Sequence, residues 1–201
     1  GLLFGIFIYI ISYGIEILIN ISHGQFKSLE FYVSTYSVEG NIGKQTAIIF
    51  FVICILGNII NVIMEEGIFR GLFQKLFEQK YNFLLSAILS SLLFGFWHVI
   101  APLRSYYDGT ISFEEMFINI IILVVTSTLV GFKFSMMTKL TGSLYMSMGD
   151  HFVNNTIINI LHIVSKDGSI DKLLVMRISI AQTLSFLIIL IYFKLSRNEC
   201  S

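Results

Sequence analysis

The sequence predicts an all-α protein of the membrane, a polytopic bundle of about six transmembrane helices. Three observations lead there. Of the 201 residues, 55% are hydrophobic and only 13% charged, with a mean hydropathy of +0.81; a soluble domain of this length needs more charge to cover its surface. The apolar residues gather into stretches of roughly 20, the length a helix needs to cross hydrocarbon. Polar connections separate those stretches, "FQKLFEQKYN" and "SKDGSIDK" among them.

The spans follow in order. The first, 2–19, lacks the basic flank and small-residue cleavage site of a signal peptide. The second covers 46–66 and continues as a helix to about 78, and the third covers 82–101, where Pro102, the chain's single proline, would stop it. The remaining three are expected at 115–137, 142–164 and 174–195. The pairs Lys75/Lys80, Lys133/Lys139 and Lys194/Arg197 alternate so as to share one side, which the positive-inside rule makes cytoplasmic. The opposite loops hold Lys27, Lys44, Arg104, Lys166 and Lys172, which makes the bias thin; their acidic Glu30, Glu39, Asp108, Glu114, Glu115, Asp167 and Asp171 agree with the assignment but count for little under that rule. Thirteen basic and thirteen acidic residues cancel, so nothing points to a nucleic-acid partner. Cys54 and Cys200 make no disulfide framework, and Cys200, with only Ser201 after it, is no prenylation box. Without internal repeats or linkers, residues 1–201 read as a single integral membrane domain.

Three polar constellations interrupt the apolar helices. In "NVIMEEGIFRG" (61–71), a charge near a helix centre costs ~2.5–3.5 kcal/mol on insertion scales, so Glu65, Glu66 and Arg70 are functional candidates. Glu66 and Arg70 stand four apart with the acid first, which suits an ion pair; Glu65 lies ~100° away around the helix. Asn58 and Asn61 continue the stripe behind Glu65. The alternative is that the helix leaves the membrane near Met64 and the trio is interfacial charge. In "FGFWH" (94–98), Phe94 and His98 share a face beside Trp97; the alternative is a packing histidine and an aromatic anchor. In "GDHFVNNTIINILHI" (149–163), His151, Asn155, Asn159 and His162 form one polar stripe, which must find partners inside a bundle. There the alternative is a hydrogen-bond seam without chemistry, and Gly149 suggests a close helix approach. With a reversal near Tyr81–Asn82, Glu65 and His98 both sit ~24–25 Å from the turn, whereas His151 is ~14 Å from a reversal near Thr141–Gly142.

Taken together and in this order, "EEGIFR", "FGFWH" and "HFVNN" resemble the motifs of the CAAX-protease and bacteriocin-processing (Abi) family of intramembrane proteases, over a core of about 46–165. The resemblance implies a helical membrane endopeptidase with a polar cavity. Glu65 and His98 would activate water, His151 and Asn155 would stabilise the oxyanion, and Glu66 and Arg70 would be a structural pair. A carboxylate in a low-dielectric cavity is a stronger base than a free one. A metal-free glutamate mechanism with no cofactor is favoured; the alternative is a divalent metal such as zinc on Glu65, His98 and His151. Two rivals from other classes are a bacteriocin self-immunity protein that binds without cleaving and a proton-coupled transporter. The Ile-, Asn-, Lys- and Phe-rich composition suggests an AT-rich bacterial genome, hence a multi-pass protein of a bacterial cell membrane. Its substrate would be a peptide or a membrane-anchored protein.

Overall fold

The computed structural model describes residues 1–35 and 42–198. Glu39, Cys200 and Ser201 lie outside the described residues, as does the side chain of Arg197. The chain is a helical membrane protein. Five helical segments are long and apolar enough to cross a bilayer among the described residues: Leu2–Ser22, Ile48–Glu78, Phe83–Tyr107, Phe113–Thr141 and Leu174–Ser196.

The described residues form two compact units. Unit 1 comprises Gly1–Ile63 and Met148–Ile188, and unit 2 comprises Met64–Ser147 and Ile189–Ser201.

In unit 1, helix α1 (Leu2–Ser22) leads into strand β1 (Phe26–Phe31). Helix α2 begins at Ile48 and runs to Glu66, crossing the unit boundary. Helix α7 (Tyr145–Ile160), in unit 1 from Met148, is followed at once by strand β2 (Leu161–Ser165), and helix α8 (Leu174–Asn198) belongs to unit 1 as far as Ile188. The two strands pair antiparallel, with Glu30 opposite His162 and Phe31 opposite Leu161. The core joins Ile8, Tyr9, Tyr13, Val153, Ile163 and Ala181. Gly149 is a close-approach position: a Cβ there would stand 2.7 Å from the Leu2 backbone nitrogen.

The stretch 142–164, read as one span, is therefore a 16-residue helix and a strand. The carbonyls of Asn159 and Ile160 receive the backbone N–H groups of Ser34 and Tyr32 at 3.0 and 3.1 Å. Groups left open at a helix C-terminus are thus satisfied from the segment after β1, and the β-branched Ile163 and Val164 suit the extended chain that follows.

In unit 2, the helix begun by α2 continues through a π-helical stretch, Gly67–Phe73, into α3 (Gln74–Glu78). Asn82 caps α4 (Phe83–Trp97), its side chain accepting from Leu85 N. The third span breaks at His98 and resumes as α5 (Ile100–Tyr107), so Pro102 lies in a first turn rather than beyond a last one. A proline has no N–H for the carbonyl four residues back and its ring crowds that carbonyl, which here belongs to His98. The break follows, with Val99 N–H reaching back three residues to Phe96 O at 3.1 Å. Helix α6 (Phe113–Thr141) starts in a capping box between Ser112 and Glu115 and ends at Gly142. It runs past the expected span end at 137, and Lys133, expected as a cytoplasmic flank, is 1% exposed. Lys133 is an interior residue and carries no weight in a count of loop charges.

Candidate active site

The polar residues of the second span owe their setting to the π-helical stretch, which inserts an extra residue per turn just after the glutamates. Such stretches are rare and recur at functional positions. The Phe69 carbonyl accepts the Gln74 N–H and also the hydroxyl of Ser90, which reaches across from α4. Glu65 and Glu66 are both buried. Of the two, Glu66 takes Arg70, whose Nη1 donates to Oε1 at 3.2 Å with both side chains fully buried. Arg70 Nε and Nη2 have no hydrogen-bond partner among the described residues. Its guanidinium lies instead against the rings of Phe94 and Phe134, 4.3 and 5.4 Å from their centroids, and cation–π attraction is strongest in such a dry setting. Gly131 on α6 makes the room, since a Cβ there would stand 2.5 Å from Arg70 Nη2.

His98 stands at the helix break of unit 2, half-buried, edge-on to Phe94 with ring centroids 4.7 Å apart. Its Nδ1 lies 2.8 Å from the Phe94 carbonyl oxygen. A carbonyl only accepts, so Nδ1 carries the hydrogen, and in the neutral ring the lone pair belongs to Nε2. Trp97 is exposed.

His151 and Asn155 belong to unit 1, both buried on α7. Asn155 Oδ1 accepts from Asn154 Nδ2 at 2.9 Å, which commits the oxygen end of the carboxamide and leaves the NH2 end to donate elsewhere. Beyond the end of that helix, in strand β2, His162 stacks on Tyr32 with centroids 4.0 Å apart, and its Nδ1 meets Asp171 Oδ2 at 2.6 Å.

Sequence reasoning passed over a second buried charge cluster in unit 1. Arg177 of α8 donates to Glu16 Oε2 at 3.0 Å and to Asp171 Oδ1 at 2.9 Å, and it lies over the Tyr13 ring at 4.1 Å. Burial would raise the Asp171 pKa, but hydrogen bonds from His162, from Ile163 N–H and from Arg177 hold it below the ordinary carboxylate value. Glu16 and Arg177 carried the same signal that singled out Glu65, a charge inside an apolar span.

Among the described residues, no three His, Cys, Asp or Glu side chains form a group that could hold a metal ion.

The model of the Rce1-like family, described as type II CAAX prenyl endopeptidase, matches residues 47–157. No curated protein and no solved structure matches the chain.

Proposed function

Because the chain belongs to the Rce1-like family of type II CAAX prenyl endopeptidases, we propose that it is an intramembrane endopeptidase acting on a membrane-associated peptide or membrane-anchored protein. One observation carries the reading: the matched segment, more than half of the chain, contains Glu65, Glu66, Arg70, His98, His151 and Asn155 together.

In the proposed reaction a water molecule attacks the scissile carbonyl carbon. Its proton passes to the Glu65 carboxylate, a buried base. His98, with Nδ1–H tied to Phe94 O, holds the water through the Nε2 lone pair. Charge develops on the carbonyl oxygen, and N–H groups of His151 and Asn155 donate to it. The tetrahedral intermediate collapses, the C–N bond breaks, and the leaving amine takes the proton back from Glu65. Glu66 and Arg70 take no part in proton transfer and form the structural pair. The chemistry uses no cofactor. A bacterial peptide precursor is the substrate class we favour.

The test compares peptide termini in membranes and medium of cells expressing the wild type or Glu65→Gln. The amide keeps the shape and removes the base, so at least one terminus should vanish and its uncleaved precursor accumulate. Identical terminomes would sink the protease reading.

A further inference from the structure

We propose that Asn154, held by Tyr9 and Gln182, is a positioning residue that orients the Asn155 carboxamide with its N–H groups toward the reacting carbonyl. The proposal rests on the reading of Asn155 as an oxyanion donor.

Neighbouring residues on a helix point ~100° apart, so Asn154 and Asn155 face different surroundings. Asn154 faces α1 and α8. Its Oδ1 accepts two hydrogen bonds, one from the hydroxyl of Tyr9 and one from Gln182 Nε2 at 2.7 Å. That atom is the oxygen end of the carboxamide, accepting from both donors. The remaining Asn154 Nδ2 donates to Asn155 Oδ1 at 2.9 Å. The orientation is passed along the chain Tyr9 and Gln182, Asn154, Asn155.

An unrestrained carboxamide presents oxygen or nitrogen at little difference in energy. An oxyanion tolerates only the nitrogen end, and preorganised donors are what make such a site effective. With Asn155 Oδ1 committed to Asn154, the flipped orientation would set two NH2 groups face to face. Tyr9 is buried at 2% exposure. Tyr9 and Gln182 both lie outside the residues 47–157 that match the family, so the first and last helices serve the site through Asn154.

The diagnostic variant is Asn154→Asp. A carboxylate has the same shape and still accepts from Tyr9 and Gln182, so packing is kept, but it cannot donate to Asn155 and favours the flipped amide. The substrate is the peptide whose terminus disappears in Glu65→Gln, assayed with purified full-length protein in nanodiscs. We expect kcat to fall roughly 10²-fold with KM unchanged, and Asn154→Gln to fail as a replacement because its longer side chain shifts both ends. Independently of any substrate, the side-chain NH2 resonance of 15N-labelled Asn155, assigned by its loss in Asn155→Asp, should move in Asn154→Asp and move less in Tyr9→Phe and Gln182→Met. A resonance unmoved by Asn154→Asp overturns the positioning role, whatever the kinetics. A moved resonance with unchanged kcat overturns the oxyanion role of Asn155 instead. Loss of kcat together with a rise in KM and a lowered unfolding temperature would reduce Asn154 to a packing residue.

Discussion

Each unit buries an arginine, and the two arginines are accommodated in different ways. Arg70 bonds one carboxylate on its own helix, four residues back, and otherwise rests on aromatic faces. Arg177 bonds two carboxylates, Glu16 on the first helix and Asp171 in the turn before its own. The first solution is local, and the spacing Glu66–Arg70 displays it. The second joins residues 161 apart in sequence and makes the fold itself depend on a charge. Arg70 belongs to the stretch that carries the glutamates and bonds Glu66 within it. Arg177 ties α1 to the turn before α8, a structural duty.

Four measurements can break or sharpen that contrast. The largest effect is expected from Arg177→Met, which strands Glu16 and takes one of three donors from Asp171; leaving a buried charge uncompensated costs about 3–5 kcal/mol. Thermal unfolding in detergent should show a larger loss than Arg70→Met, which strands Glu66 alone. A greater loss in Arg70→Met would reverse the assignment of duties. Next comes Gly131→Ala, whose new methyl would stand 2.5 Å from Arg70 Nη2; overpacking of this kind costs about 1–3 kcal/mol, and the Arg70–Glu66 distance in a solved structure of the variant should lengthen. Ser90→Ala removes the hydroxyl that bonds the Phe69 carbonyl and should cost about 1 kcal/mol; backbone amide exchange should quicken across 67–73 and not in unit 1.

Acid should give the smallest change, since burial and hydrogen bonding push Asp171 in opposite directions and the net shift is downward. A carboxyl with a depressed folded-state pKa contributes stability above its unfolded value of ~3.9 and loses it as pH falls through the lower folded value. Unfolding temperature should therefore decline more steeply below that range in the wild type than in Asp171→Asn. Parallel declines would show that the Arg177 cluster does not sense protons through Asp171.

The spans, the reversal at Asn82 and the long second helix were legible because each depends on residues within a few turns of one another. Hydropathy alone misread 142–164: apolar Leu161, Ile163 and Val164 look the same to a hydropathy window whether they continue a helix or pair with a strand. Pairing with β1 decided it, and β1 is 130 residues away. Lys133 was misplaced for a related reason, since a charge near an expected span end looks like a loop charge until neighbouring helices are seen to cover it. At the candidate site, residue identities came from the motifs. The tautomer of His98, the support of Asn155 by Asn154 and the room made by Gly131 are properties of packed neighbours.

By itself the sequence determined the class of protein, its helices, its i, i+4 pair and the residues whose burial would be costly enough to need a purpose. Only the tertiary structure decided which of those residues meet: Glu16 with Arg177, Tyr9 and Gln182 with Asn154, His162 with Asp171. The physical reason is that hydropathy and periodicity act over one or two helical turns, whereas a buried polar group is stabilised by whichever partner the fold delivers to it, however far away in the chain.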